Sequence, residues 1–485
     1  MNKNSKNIYK GLFWKLLERF GVSGIQFILQ IILARLLDPA HYGMLSIMII
    51  FTSLANIFIQ NGFNTALIQN KDTTEEDFSS VFWVSLGVAG MLYGVIFFSA
   101  PVIARFYEMP DLVAPLRVLA LMLFPGALNS IQLAKVRREM DFRKVFYSNI
   151  GGILVAGGAG IAIALLGGGV WALVVQTLLN TLVACLVMRF TVKLKLRFVC
   201  NLSRVKSLFR FGWKLLVSGL INTLYQDLRS LVIGKKYDSA TLGYYNRGKQ
   251  FPHFIINAVN GTVQAVMLPA MSAEQDDKTR VKTMMRRSVT LSAYILFPLM
   301  AGLAAVAAPM VSFILTDKWL PCVPYLQIYC LTFAFYPVHS CNLQAINAIG
   351  RSDIFLKLEI IKKAYGILAL VIAVLCFDSP VAIALTGAIT TIISSFVNAA
   401  PTKKLINYSY FEQMKDILPA FALSILMLAA IYPITWLNLP NILIILIQVV
   451  LGIAVYVLGS VLFRLEAFTY LWSFLKKLMK KAKKA

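Results

Sequence analysis

Two stretches set the reading of this chain: Trp14–Gly43, WKLLERFGVSGIQFILQIILARLLDPAHYG, and Trp213–Gly243, WKLLVSGLINTLYQDLRSLVIGKKYDSATLG. Each opens on Trp-Lys-Leu-Leu and runs through about twenty mostly apolar residues, enough for one helix to cross the ~30 Å core of a bilayer. Each ends at a corner that begins with Asp and closes with Gly: Asp38-Pro39-Ala40-His41-Tyr42-Gly43 and Asp238-Ser239-Ala240-Thr241-Leu242-Gly243. The openings lie 199 residues apart and the corners 200. Asn61-Gly62 returns as Asn260-Gly261 at 199, and Gln132 with Asp141 returns as Gln344 with Asp353 at 212. Matches in register at one long period indicate an internal duplication.

Working outward from the two copies, the chain is 58% apolar and 14% charged over 485 residues, against roughly 45–50% and 25% in globular proteins. Apolar segments fall near 11–35, 41–62, 79–104, 112–133, 145–166, 169–188, 209–233, 250–270, 288–315, 322–348, 355–377, 380–399, 416–436 and 441–463. Runs such as Ile425 to Ile431 and Val449 to Val457 are apolar all round, whereas a β-barrel needs alternating strands. The expected fold is therefore an all-α integral membrane protein of about 14 transmembrane helices. Six spans separate the copies, so the repeats are parallel and predict two six-helix lobes around a central cavity, plus two C-terminal helices. The expected divisions are 1–188 for the first lobe, 189–208 for a basic linker and 209–399 for the second lobe. The extra spans then occupy 400–463, and a basic amphipathic tail 464–485.

The formal charge of +25 would suit nucleic acid in a soluble chain, but its distribution excludes that reading. With the N-terminus inside, the cytoplasmic segments carry 35 of the 47 Lys and Arg, the outer loops 7 and the membrane segments 5, the asymmetry of the positive-inside rule. The outer seven include Lys235, Lys236, Arg247 and Lys249 in the longest outer loop, Gly234 to Lys249. The first segment carries Lys15, Glu18 and Arg19 and lacks a small-residue cleavage site, so it reads as a retained span. In the tail, Phe468, Leu471, Trp472, Leu475, Leu478 and Met479 share a helical face beside lysines, a pattern that lies on an anionic leaflet or merely helps set topology.

Polar residues inside spans are costly and mark protein interiors or wet cavities. In the first span Lys15, Arg19, Ser23, Gln26 and Gln30 step by three or four and share one face, and the seventh repeats this with Lys214, Ser218, Asn222, Gln226 and Arg229. Asn56, Gln60 and Asn64 form a shorter stripe in the second span, as do Asn257, Asn260 and Gln264 in the eighth. Such faces suit sugars and phosphate, although Lys15 and Lys214 are near enough to the cytoplasm to snorkel and the amides equally serve helix–helix hydrogen bonds. Glu18 and Asp227 are either partners of these bases or coupling-ion ligands. The six cysteines form no CxxC pair, no metal-ligand spacing appears, and no catalytic constellation or cofactor motif is visible. Gly151, Gly152, Gly157, Gly158 and Gly160 in the fifth span read as close helix packing, and His339 beside Pro337 as a packed histidine rather than a proton relay.

The Trp-Lys-Leu-Leu opening, the Asp-Pro-Ala-x-Tyr-Gly corner and the two six-span lobes with two extra spans resemble the polysaccharide transporter or oligosaccharide flippase family. More specifically it looks like a Wzx-type lipopolysaccharide, O-antigen or colanic-acid flippase of the multidrug/oligosaccharidyl-lipid/polysaccharide exporter superfamily. The resemblance implies a non-enzymatic bacterial inner-membrane protein with both termini cytoplasmic. It implies transfer of undecaprenyl-pyrophosphate-linked oligosaccharide repeat units to the periplasmic leaflet by alternating access, with membrane lipids and a polysaccharide polymerase as further partners. It also implies basic cavity residues that attract pyrophosphate, for which Lys15, Arg19, Lys214 and Arg229 fit. A multidrug exporter of the same superfamily should instead present acids to cationic drugs, and here the membrane-embedded bases number 5 against two acids, Glu18 and Asp227. A membrane glycosyltransferase or polymerase would need catalytic groups on a large outer loop, where Asp238 is the only acid.

Overall fold

A computed structural model of the chain describes residues 21–60, 67, 73–139, 141–192, 194, 196–199 and 201–482. Among these residues there are helices and no strands. In order they are α1 (Ser23–Leu36), α2 (Pro39–Gln60), α3 (Glu75–Phe106), α4 (Val113–Ala120), α5 (Leu123–Glu139), α6 (Phe142–Leu165), α7 (Val170–Thr191), α8 (Leu202–Lys236) and α9 (Ser239–Ala273). There follow α10 (Lys278–Ala305), α11 (Ala307–Leu315), α12 (Val323–Ala334), α13 (Tyr336–Ala348), α14 (Ser352–Cys376), α15 (Pro380–Ile406), α16 (Tyr410–Ile431), α17 (Asn441–Leu462) and α18 (Glu466–Ala482). Nine stretches among the described residues are long and apolar enough to cross a membrane. Large apolar side chains such as Met91, Phe98, Leu458 and Leu462 stand more than two-thirds exposed on them. A soluble chain could not leave such surface in water; the protein is a multi-pass membrane protein.

Two spans are broken, and at matching places in the duplication. The fourth divides into α4 and α5 at Leu121-Met122 and the tenth into α12 and α13 at Phe335. Pro125 and Pro337, 212 residues apart, follow the two breaks. Proline at the start of a helix has no N–H to lose, but it cannot continue the helix before it. The kink is thus written into both copies.

Contacts gather the chain into two compact units, Met1–Gly243 and Tyr244–Ala485. The seventh span, α8, falls in the first because it packs on α2 and α3. In the same unit α6 and α7 pack along their length. A Cβ on Gly152 would come within 2.9 Å of the Asn180 carbonyl oxygen, and Gly157 and Gly160 are similarly tight, so these three glycines serve close packing as expected, whereas Gly158 has nothing within 4 Å. The second unit is built around α10, which lies against α12, α13 and α16. Its interior is tied by an amide pair between α13 and α16. Asn342 Nδ2 donates to Gln413 Oε1 at 2.7 Å and Gln413 Nε2 returns a bond to Asn342 Oδ1 at 3.1 Å, while the Thr402 hydroxyl of α15 donates to the same Oδ1 at 3.0 Å.

The repeated corners meet. A Cβ added to Gly43 would lie 1.8 Å from the carbonyl oxygen of Ser239, and one added to Gly243 would lie 2.1 Å from that of Pro39. Ser239 is the repeat counterpart of Pro39 and Gly243 of Gly43, so the first turns of α2 and α9 touch reciprocally, as in a two-fold interface. Asp238 caps α9 by accepting the Thr241 N–H at 2.9 Å, and Pro39 occupies the first position of α2, where proline is favoured. This arrangement replaces the long outer loop expected over Gly234 to Lys249: α8 runs to Lys236 and α9 starts at Ser239. Arg247, counted as a loop base, is instead buried in α9 with its guanidinium 5.0 Å from the Trp319 ring and Nη1 donating to Gln250 at 2.7 Å.

Candidate functional site

The polar stripe of the seventh span is displayed rather than packed away. Along α8, Lys214, Ser218, Asn222 and Gln226 are exposed, and Arg229 and Asp227 are half-buried and engaged with neighbours. Val217, Ile221 and Leu224 are exposed on the adjoining flank of the same helix. One helix thus shows an apolar flank fit for lipid and a polar one fit for a hydrated surface, the two separated by the 3.6-residue period. Carboxamides facing hydrocarbon would be costly, which makes this polar flank the candidate for a wet surface.

The matching stripe of the first span is only partly described. Gln26 is exposed and Gln30 half-buried and engaged on α1, while Lys15, Glu18 and Arg19 lie outside the described residues. The chief described contact of α1 is with α6 and those of α8 are with α2 and α3, so the two stripes sit on different neighbouring helices. Asn56 on α2 is half-buried and Gln60 exposed; Asn64 lies outside the described residues, and the side chain of Gln264 is not described.

Buried amides missed by a search for stripes lie on the broken spans. Gln132 of α5 is fully buried, and neither its Oε1 nor its Nε2 has a hydrogen-bond partner among the described residues. Its repeat counterpart Gln344 of α13 likewise has Oε1 unpartnered, as has Asn129 Oδ1 of α5, and Asn56 Oδ1, from the stripe already read on the unbroken α2, is unpartnered among the described residues too. Buried amides are ordinarily satisfied, which makes these four atypical. The signal was present: Gln132 and Gln344 mark the repeat, and Asn129 stands three residues before Gln132. Among the described residues no three His, Cys, Asp or Glu converge to hold a metal ion.

A family model described as polysaccharide biosynthesis protein matches residues 32–324. The teichuronic acid biosynthesis protein TuaB of Bacillus subtilis (strain 168) is 25% identical over 355 residues, covering 72% of this chain and 73% of that protein. The lipopolysaccharide biosynthesis protein WzxC of Escherichia coli (strain K12) is 24% identical over 443 residues, covering 89% and 88%. Among solved structures, the lipid II flippase MurJ in an inward closed conformation matches with a TM-score of 0.71 at 18% identity, over 91% of this chain and 98% of that one. At that identity the likeness is one of helical fold.

Proposed function

Because the chain belongs to the polysaccharide biosynthesis protein family, we propose that it moves a lipid-linked oligosaccharide, carried on undecaprenyl pyrophosphate, from the cytoplasmic to the periplasmic leaflet of a bacterial inner membrane. The observation that carries this reading is the polar flank of α8, where Lys214, Ser218, Asn222 and Gln226 are exposed and Arg229 is half-buried. Bases in such a surface attract pyrophosphate, and amides bond sugar hydroxyls while the polyprenyl tail stays in lipid. Lys15, Arg19, Gln26 and Gln30 extend that surface in the first repeat, and the unpartnered amides of Gln132 and Gln344 offer further hydrogen bonds to a glycan. Glu18 and Asp227 are assigned to balancing these bases or coupling an ion.

In this reading the two lobes of the duplication rock to open the polar surface to one leaflet and then the other. The termini and the basic tail stay cytoplasmic, and a polymerase takes the delivered unit. An inside-negative potential assists outward movement of an anion by roughly 2.3 kcal/mol per charge per 100 mV, or about 4–5 kcal/mol for a doubly charged head.

The test is transfer of an undecaprenyl-pyrophosphate oligosaccharide in proteoliposomes, with a cationic dye as rival cargo. Transfer by the intact chain, lost in Lys214→Ala and Arg229→Ala with the dye ignored, supports the reading. Dye export without glycolipid transfer refutes it in favour of a multidrug exporter.

A further inference from the structure

Where α10 begins and α17 ends, two helices long and apolar enough to cross a membrane, the second unit builds a cavity that the polar stripes do not reach. About one turn deeper in α10 the two helices are locked in register. The Tyr456 hydroxyl donates to the Tyr294 carbonyl at 2.8 Å, and the Tyr294 hydroxyl donates to Ser460 Oγ at 2.8 Å. The Ser460 carbonyl then accepts the Leu465 N–H at 3.1 Å across Arg464, whose φ of 47° is left-handed. That turn ends α17 and starts α18, which packs on α10. Ala467 of α18 is buried, while Tyr470 and Trp472 stay exposed.

The cavity has a volume of about 320 Å³, walled by Lys282, Arg286 and Arg287 of α10 and by Glu466 and Tyr470 of α18, with Leu291 at its apolar side. Two of the three bases are committed to acids. Lys282 pairs with Glu412 at 3.3 Å, and Arg286 with Asp416 at 3.0 Å and Glu466 at 3.6 Å. The Arg287 side chain makes no ion pair or hydrogen bond among the described residues; its guanidinium carbon stands 6.0 Å from the Tyr470 ring, and the Tyr470 hydroxyl is likewise without a protein partner there. The cavity thus offers one uncompensated charge on a planar donor fork beside a phenol. From Arg287 an i+4 ridge continues along α10 through Leu291, Ile295 and Leu299, the last two 37% and 44% exposed. A polar pocket and a lipid-facing apolar ridge are therefore continuous on one helix.

We propose that this cavity binds the headgroup of an anionic phospholipid of the surrounding membrane, with Arg287 and the Tyr470 hydroxyl on the phosphodiester oxygens and an acyl chain along Leu291, Ile295 and Leu299. The inference needs the membrane placement and not the cargo assigned above. One free base matches the single charge of a phosphodiester, whereas a pyrophosphate brings more charge to a site whose other bases are already neutralised. About 320 Å³ is at the small end of ligand cavities, room for a headgroup and not for an oligosaccharide. A soluble phosphate would leave the apolar ridge unused. The bound lipid bridges α10 and α18 and so fixes the amphipathic helix at one point of a membrane helix, which diffuse attraction of lysines to an anionic leaflet does not do.

The test is native mass spectrometry of the full chain in detergent micelles, titrated with phosphatidylglycerol and, separately, with phosphatidylcholine. The first phosphatidylglycerol should bind at least about fivefold more tightly, the effect of one base on an anionic lipid. Arg287→Gln should bring the two lipids to near parity, and Tyr470→Phe should weaken phosphatidylglycerol about threefold, both eluting as monodisperse proteins. Lys476→Gln removes an exposed base of α18 outside the cavity and should change the affinity less than about twofold. Equal losses in Arg287→Gln and Lys476→Gln overturn the proposal in favour of diffuse charge, as does equal binding of the two phospholipids by the intact chain. Neither glycerophosphoglycerol, the same headgroup without acyl chains, nor undecaprenyl phosphate at equal concentration should displace the bound lipid. Displacement by the first assigns the cavity to a soluble phosphate and by the second to a carrier lipid, and either result overturns the proposal. Absence of glycolipid transfer by the intact chain, with selective phosphatidylglycerol binding retained, would count against the flippase reading and not against this site.

Discussion

Replacing Gly43 with alanine tests the meeting of the two repeated corners. The new methyl carbon would sit 1.8 Å from the Ser239 carbonyl oxygen and 2.7 Å from its carbon. Contacts below 3.0 Å are not found for real Cβ atoms, so the first turns of α2 and α9 must part by about 1.2 Å. Because the obstacle is backbone, no side chain can rotate away, and the cost belongs at the upper end of the ~1–3 kcal/mol range for overpacking. At about 3 kcal/mol the unfolding equilibrium shifts roughly a hundredfold. Gly94→Ala is the control: it lies in α3 with nothing within 4 Å of the added methyl and should be neutral or gain up to ~1 kcal/mol in helix propensity. The assay is reversible denaturant unfolding in mixed micelles, followed by tryptophan fluorescence. Gly243→Ala, at 2.1 Å from the Pro39 oxygen, should cost a similar amount. The double variant should cost less than the sum, since parting the turns for one methyl relieves the other. Gly43→Ala with the stability of Gly94→Ala, or strict additivity in the double variant, would refute the account.

Other substitutions test the remaining parts. Lys214→Ala and Arg229→Ala should each slow glycolipid transfer by about tenfold, as loss of one charge-assisted bond to phosphate would, and for the exposed Lys214 micellar stability should stay within about 0.5 kcal/mol of the intact protein; a stability loss in Lys214→Ala as large as its transport loss would reassign it to packing. Gln413→Ala removes a partner from the fully buried Asn342 and should destabilise by about 1–3 kcal/mol, measured by the same unfolding assay. In the turn after α3, the Glu108 carboxyl is held below the usual carboxylate range by a hydrogen bond from Lys235 at 2.9 Å. The pair therefore contributes above the ordinary carboxylate pKa and is lost as pH falls through the lowered value. Lys235→Ala should return Glu108 to the normal range in a carbon-13 titration.

Much of the molecule was legible because a bilayer imposes coarse, local demands. Apolar runs such as Asn441–Leu462 declare a membrane helix by composition alone, since every backbone polar group must be satisfied within the segment. The duplication was legible because Asp38 to Gly43 and Asp238 to Gly243 must each build a helix start and a close contact, and few residues can do both. The polar flank of α8 was legible from its spacing, because the 3.6-residue period fixes which side chains share a face whatever the helix packs against. The break within the fourth span was not read, although Pro125 stands in the sequence, and in the tenth Pro337 was read only as a kink, because a proline in an apolar run signals a kink or a helix start with equal force.

Tertiary structure decided what the pattern left open. That Gly43 and Gly243 exist for each other's corner depends on two segments 200 residues apart coming within contact, which no local period encodes. Arg247 reads as a loop base until α9 is seen to begin at Ser239 and bury it against Trp319. His339 reads as a lone packed histidine until Asn398 is brought to it from α15. Sequence sets the solvent of each helix face, because transfer free energy depends on composition; only packing sets which charges meet inside, because electrostatics depends on distance.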